Sequence, residues 1–130
     1  MNRNDQAVAQ VAALKNLIEQ VRSKEDQWTK QVARKRSLLA QLQENEFVRE
    51  ELTLVERDPG ARLYKLHGPC LLPKRRADVA DNVKQRQDLL LGEIRRVDGV
   101  ISNLERELQE LQQRLREAQR QLTTPATTTA

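Results

Sequence analysis

The sequence predicts a mainly α-helical protein, a long antiparallel two-helix coiled coil with one β-hairpin at the turn. Two stretches of the 130-residue chain carry apolar residues at alternating spacings of four and three, the pattern of a coiled-coil seam. A short segment rich in glycine, proline and bulky apolar residues separates them. Because the chain turns back at this segment, we expect the two apolar stripes to pack against each other in opposite directions.

The first helix is predicted over residues 5–57. Asn4 or Asp5 can cap its start, and no proline occurs inside it. Only Glu25 and Lys35 interrupt its apolar stripe. The members of the stripe are Ala7, Val11, Leu14, Ile18, Val21, Trp28, Val32, Leu39 and Leu42.

A turn and a β-hairpin are predicted over residues 58–74. Asp58, Pro59 and Gly60 form a turn signature that ends the first helix. Two short apolar runs follow on either side of a tight connection, which is typical of a hairpin. An isolated two-stranded hairpin is marginally stable in water, so we expect strands from other subunits to complete a sheet there. The predicted oligomerisation surface comprises Leu63, Tyr64, Leu66, Gly68, Pro69, Cys70, Leu71 and Leu72.

The second helix is predicted over residues 75–122, followed by a disordered tail at residues 123–130. Antiparallel packing places Leu90 near Leu42 and Leu104 near Trp28. The apolar stripe of this helix runs without interruption through Leu90, Ile94, Val97, Ile101, Leu104, Leu108, Leu111, Leu115, Ala118 and Leu122.

Composition excludes most enzymatic functions. The chain has one Trp, one Tyr and one Phe, and 32% of its residues are charged, so its apolar residues suffice for a seam but not for a large enclosed core. We find no phosphate-binding loop, no metal-ligand cluster and no nucleophile paired with a base, and we expect no cofactor, no metal and no catalysis. A lone cysteine, the lack of a signal peptide and the lack of a membrane-spanning run predict a soluble cytoplasmic protein without a membrane partner.

Basic residues raise the alternative of nucleic-acid binding. The net charge is +4, and basic triplets lie at residues 34–36 and 74–76. Acidic residues are interspersed along both helices, however, and no row of aromatic residues is available for base stacking. We therefore expect no nucleic-acid partner; the basic triplets could equally meet an acidic surface on a protein partner.

The residues around the hairpin resemble those of the β-type subunits of prefoldin, the sixth subunit of the eukaryotic set in particular. The resemblance begins with the pattern "EN..V..EL" at residues 44–52 and continues with "YKL.GP" at residues 64–69. It extends over about residues 7 to 122. Cys70, where an aliphatic residue is expected, and the loop from Arg57 to Arg62 depart from the family pattern.

This resemblance implies a hexamer of α-type and β-type subunits whose hairpins form a β-barrel platform. It further implies that coiled-coil tips capture unfolded proteins, such as actin and tubulin, and pass them to the cytosolic group II chaperonin without ATP. Val8 and Leu17, just off the strict register, are the preferred candidates for client contact. The full set of candidates is Val8, Val11, Leu14, Leu17, Ile18, Val21, Leu111, Leu115, Ala118 and Leu122. Two alternatives remain open: that these residues are seam only, and that the chain is a structural tether or adaptor in another assembly.

Overall fold

Residues 2–123 are described by the structure, which is a computed structural model. In chain order they form α1 (Arg3–Glu56), β1 (Leu63–His67), β2 (Cys70–Lys74) and α2 (Arg76–Thr123). The prediction of a mainly α-helical chain with one hairpin between two long helices is confirmed. Of the predicted tail, residue 123 is the last residue of α2, and residues 124–130 lie outside the described residues.

α1 begins earlier than its predicted cap. The carbonyl oxygen of Asn2 accepts hydrogen bonds from the backbone N–H groups of Asp5, at 3.0 Å, and Gln6, at 3.2 Å. Asn2 therefore precedes the helix, and the prediction that Asn4 or Asp5 caps it is wrong. Asp5 lies instead in the first turn, where a carboxylate is favoured by the positive end of the helix dipole.

The turn after α1 is closed by its own side chains. The Asp58 carboxylate accepts a hydrogen bond from the backbone N–H of Gly60 at 2.9 Å, and the Asp58 carbonyl accepts one from Ala61 at 3.2 Å. The Arg76 guanidinium, at the start of α2, donates to the carbonyl oxygens of Asp58 and Ala61. One side chain thus satisfies two loop carbonyls and ties the loop to the second helix.

The chain divides into two compact units. The hairpin unit comprises residues 34–98, and the terminal unit comprises residues 2–33 with residues 99–123. In the hairpin unit the two helix segments are antiparallel, with Leu38, Leu90, Ile94 and Val97 buried between them. Burial of such side chains contributes roughly 1.5–3 kcal/mol each, so this seam is the main source of stability in the unit.

The seam of α1 in the hairpin unit differs from the predicted one. Leu38 is 5% exposed whereas Leu39 is 45% exposed, so Leu38 is the seam residue and the prediction of Leu39 is wrong. Lys35 is half-buried, and its ammonium pairs with Asp98 at 2.7 Å. Asn45 is buried and donates to the backbone carbonyl of Val83 at 3.0 Å. The stripe therefore continues through polar residues, whose long or amide side chains find partners on α2.

The terminal unit has a seam of the same kind. Val21, Leu104 and Leu111 are buried in it. The indole N–H of Trp28 donates to Glu105 at 3.2 Å, in agreement with the predicted proximity of Trp28 to Leu104. Antiparallel pairing of the two helix segments in this unit is therefore confirmed.

Candidate functional site

The hairpin is closed by a two-residue loop. His67 pairs with Cys70, which leaves Gly68 and Pro69 as the central residues of the turn. Gly68 has a φ of 60°, and proline fixes the second φ near −65°. This combination matches a type II′ turn, whose twist suits a hairpin and whose first central position favours glycine.

The predicted oligomerisation residues lie on two faces of the hairpin because side chains alternate along a strand. Tyr64, Leu66, Leu71 and Pro73 share one face, which carries no charged residue. Leu66 is 71% exposed and Leu71 is 63% exposed. The other face mixes apolar and basic residues, and its members are Leu63, Lys65, His67, Cys70, Leu72 and Lys74. One face of the hairpin therefore exposes an apolar surface that no described residue covers.

The two edges of the hairpin are chemically unequal. The turn makes His67 and Cys70 a hydrogen-bonded pair, and such pairs alternate with non-hydrogen-bonded ones along an antiparallel ladder. The pair of Tyr64 with Pro73 is consequently non-hydrogen-bonded, and its backbone groups point outward. Tyr64 offers an N–H and a C=O at the outer edge of β1, whereas Pro73 has no N–H to offer at the edge of β2.

The predicted client-binding residues show graded burial within the terminal unit. Val21 and Leu111 are buried. Val8, at 68%, and Val11, at 43%, are exposed. The half-buried members are Leu14, Leu17, Ile18, Leu115, Ala118 and Leu122. Exposure thus increases from Val21 towards the first residues of α1, and Leu17 is half-buried like its seam neighbours Leu14 and Ile18.

Ion pairs fix the helices in each unit. In the hairpin unit the Glu93 carboxylate accepts hydrogen bonds from Arg96 at 2.6 Å and from Arg34, on the other helix, at 3.0 Å. Arg96 and then Arg34 lower the pKa of Glu93 from 4.5 to about 2. In the terminal unit Lys24 pairs with Glu107 at 2.7 Å. Of these pairs, the two that join the helices, Arg34 with Glu93 and Lys24 with Glu107, favour one register over others, although each contributes little free energy.

Residues 2–123 hold no group of three or more His, Cys, Asp or Glu side chains placed to bind a metal ion. Within that same range, neither helix has a stretch both long and apolar enough to cross a membrane.

A groove in the hairpin unit was not anticipated from the sequence. It has a volume of about 600 Å³ and lies between the hairpin, the last turns of α1 and the first turns of α2. Phe47 and Val48 line it and are exposed, and Leu54, seven residues after Phe47 on the same helix, is exposed too. These three residues supplied a signal in the sequence, since they add apolar surface to α1 outside its seam. The remaining apolar lining residues are Leu52, Val55, Leu63, Tyr64, Val79 and Val83.

Comparisons with known proteins point to one family. Residues 15–122 match the family model for the prefoldin subunit, Prefoldin_2. Prefoldin subunit 6 of Arabidopsis thaliana is 37% identical over 86 residues, which cover 61% of this chain and 65% of the plant protein. Prefoldin subunit 6 of Homo sapiens is 29% identical over 108 residues, covering 83% and 82% of the two chains. The match to the plant relative thus spans just under two thirds of its length.

A solved structure has a similar fold. The crystal structure of the prefoldin beta subunit from Thermococcus strain KS-1 superposes with a TM-score of 0.70 at 18% sequence identity. The superposition covers 87% of this chain and 94% of the archaeal one. The shared fold therefore extends over nearly the whole of both chains.

Proposed function

Because this chain belongs to the prefoldin subunit family, we propose that it works as a β-type subunit of a hetero-oligomeric co-chaperone. In this proposal the complex captures unfolded polypeptides, actin and tubulin among them, and passes them to the cytosolic chaperonin without ATP. The chain itself performs no covalent chemistry, and its place of work is the cytoplasm. Its direct partners are the other α-type and β-type subunits, the client chains and the chaperonin.

The graded exposure of apolar residues in the terminal unit carries this proposal. Val8 and Val11 are exposed, and the seam residues next to them are half-buried rather than closed off from water. A seam near helix ends opens at low free-energy cost, because end residues lack neighbours on one side. Such a surface gives an unfolded chain weak apolar contacts, at roughly 25 cal/mol per Å² of buried area. Several subunits holding one client together raise the effective concentration of each contact.

The hairpin supports the hetero-oligomeric part of the proposal. Its apolar face of Tyr64, Leu66, Leu71 and Pro73 is open, and a two-stranded sheet without a partner is marginally stable. Unpaired strand edges and an exposed apolar face are what a neighbouring sheet would cover. Assembly therefore supplies the burial that a single chain lacks.

Polar replacement of Val8 together with Leu17 tests the capture step. We expect the double variant Val8→Ser and Leu17→Ser, placed in a complex reconstituted with its partner subunits, to assemble normally. Because two apolar contacts are lost per client, the concentration needed to suppress aggregation of a denatured client should rise about fivefold. Light scattering of the client and native mass spectrometry of the complex give the two measurements.

Leu89→Ser is the matched control, since Leu89 is 75% exposed but lies in the hairpin unit. Equal suppression by the double variant, the control and the unmodified complex would contradict client capture at these residues and favour the alternative of a structural tether. If the complex were found to contain no related subunits, the proposed function as a prefoldin subunit would be wrong.

A further inference from the structure

The two basic triplets of the sequence have different surroundings. In the first triplet, at residues 34–36, two of the three cations pair with carboxylates of α2, at 3.0 Å and 2.7 Å. In the second triplet, at residues 74–76, no ion pair engages any of the three within the range that the structure describes. The first triplet therefore joins the helices, whereas the second keeps its charge available for a partner from outside the chain.

Positive charge is concentrated around the second triplet. Residues 57–76 contain six Lys or Arg and one Asp, a net charge of +5, in a chain whose total is +4. The rest of the chain is therefore close to neutral, because the acidic and basic residues of the helices balance. Arg62, Lys74 and Arg75 are exposed, and none of them has an ion pair among residues 2–123. An acidic partner is consequently attracted to the hairpin and its flanks.

A groove of about 400 Å³ lies where the hairpin joins the helices, and we call it the basic groove. Arg62, Lys74, Arg75 and Arg76 line it, and no carboxylate does. Leu63 and Lys74 form the last pair of the strand ladder. Arg62 and Arg75 therefore lie directly beyond the paired strands, at the place where the groove opens.

Arg76 fixes the shape of the basic groove. Its guanidinium donates to the carbonyl oxygens of Asp58 and Ala61, which ties the segment before β1 to the segment after β2. Arg62 follows Ala61 directly, and Arg75 precedes Arg76, so these bonds also hold the backbone of the two exposed arginines. A backbone that is already in place lowers the entropy cost of binding.

The lining and its surroundings favour an acidic peptide over a nucleic acid. Leu63, Tyr64 and Pro73 form the apolar part of the basic groove, which an apolar side chain of a peptide can cover and a phosphate backbone cannot. Asp58, in the loop before β1, and Asp78, in the first turn of α2, are both exposed. They would repel the closely spaced phosphates of a strand that continues past the groove, whereas a short acidic segment needs to reach neither.

We propose that the basic groove binds an acidic, extended segment of a protein that is not a prefoldin subunit, a segment in which an apolar residue is flanked by Asp or Glu. Arg62 and Arg75 pair with the flanking carboxylates, and the apolar residue packs against the apolar part of the groove. A neighbouring sheet that covers the hairpin face follows the paired strands, which end at Leu63 and Lys74, so the two arginines remain outside it. The inference goes beyond client capture and subunit assembly, because it gives the hairpin unit a surface for a further partner.

Peptide binding to the complex reconstituted with its partner subunits tests the proposal. The probe is a fluorescein-labelled peptide of alternating Glu and Ser with one central Leu, and fluorescence anisotropy measures its dissociation constant. We expect saturable binding that weakens as the salt concentration is raised, and no binding of the same peptide with Gln in place of Glu. Absence of binding to the complex would overturn the proposal. Binding to the isolated chain alone would overturn it too, since another subunit would then fill the basic groove.

Charge reversal locates the binding. Arg62→Glu and Arg75→Glu are each expected to raise the dissociation constant of the peptide about tenfold. Arg36→Glu is the matched control and should leave binding unchanged, because Arg36 is an exposed cation of the first triplet without an ion pair in residues 2–123. Native mass spectrometry shows whether each variant complex is complete. Where one is not, Arg62→Gln and Arg75→Gln replace the reversals, with an expected rise of about threefold.

Three results of these substitutions would overturn the proposal. Unchanged binding in the variants of Arg62 and Arg75 would place the peptide elsewhere on the complex. An equal loss with Arg36→Glu would mean that the peptide responds to the overall charge of the subunit. Tighter binding of a single-stranded oligonucleotide of equal charge, weakened by the same variants, would mean that the basic groove takes a nucleic acid.

Discussion

The hairpin unit and the terminal unit both expose apolar residues, but for different reasons. The hairpin unit has a closed seam, in which Val97 is fully buried, and its exposed apolar residues lie outside that seam, on the hairpin face and in the groove. In the terminal unit the seam itself becomes exposed, from the buried Val21 to the exposed Val11, and the exposed Val8 lies just beside it.

This difference indicates two kinds of binding. Apolar surface beside a closed, rigid seam keeps a defined shape, which suits a permanent partner with complementary side chains. Apolar surface made by an opening seam has no fixed shape and can adapt to many chains, at low affinity for each contact. Under the proposed function, a subunit that stays assembled while it holds and releases clients would use one surface of each kind.

The largest effect is expected from a charge on the hairpin face. Leu66→Asp should reduce incorporation into the complex on the order of a hundredfold or more, because assembly would bury an unpaired carboxylate. The helical content of the isolated chain should not change, since Leu66 is exposed there. Native mass spectrometry and circular dichroism provide the two measurements. Leu89→Asp is the control, and a similar loss with it would show that added charge alone prevents assembly.

Shortening a buried side chain to alanine should lower the free energy of unfolding more in the hairpin unit than in the terminal unit. Ile94→Ala in the hairpin unit is expected to lower the free energy of unfolding by about 3 kcal/mol, because buried Leu90 and Val97 on either side leave a cavity that cannot relax. Leu111→Ala should cost about 2 kcal/mol, since its neighbours Leu108 and Leu115 are half-buried and can move. Hydrogen exchange of backbone amides in each unit measures both changes. Equal costs would mean that the two seams are equally closed.

The smallest effect concerns pH. The pKa of Glu93 is lowered to about 2, so its ion pairs stabilise the hairpin unit above pH 4.5 and are lost as the pH falls towards 2. Glu93→Gln should therefore reduce stability slightly at neutral pH and flatten the decline of stability across this acid range. Urea unfolding at a series of pH values between 2 and 7 tests this expectation. Glu110→Gln, in the terminal unit, is the matched control for removal of one carboxylate.

The sequence was sufficient to predict both helices, the hairpin and the antiparallel pairing. The error at Leu39 shows where reading the apolar pattern fails. Counting only apolar residues treated Lys35 as a break, although its stem lies in the seam and its ammonium reaches Asp98. Gln31, half-buried like Val32, also belongs to the buried side of α1. If Gln31 and Lys35 are counted as members of the stripe, the spacing of four and then three places Leu38 in the seam.

Two features could not be predicted from the sequence, because they depend on how separate elements are arranged in space. Asn45 was noted as part of a family motif, yet its burial and its bond to the Val83 carbonyl depend on the spacing between two helices. The groove likewise combines residues from α1, the hairpin and α2. From the sequence, Val48 was noted only as part of the family motif and Phe47 was not noted, because their common surface exists only once the hairpin is placed beside them.

Pro73 also bears on how far assembly can proceed. A hairpin with two equivalent free edges could add copies of itself on both sides and grow into a filament, as open sheets do in aggregates. Here β2 offers no donor at Pro73, so growth through that edge is disfavoured. One proline thereby makes the two edges of the hairpin unequal and disfavours open-ended stacking of one hairpin on the next.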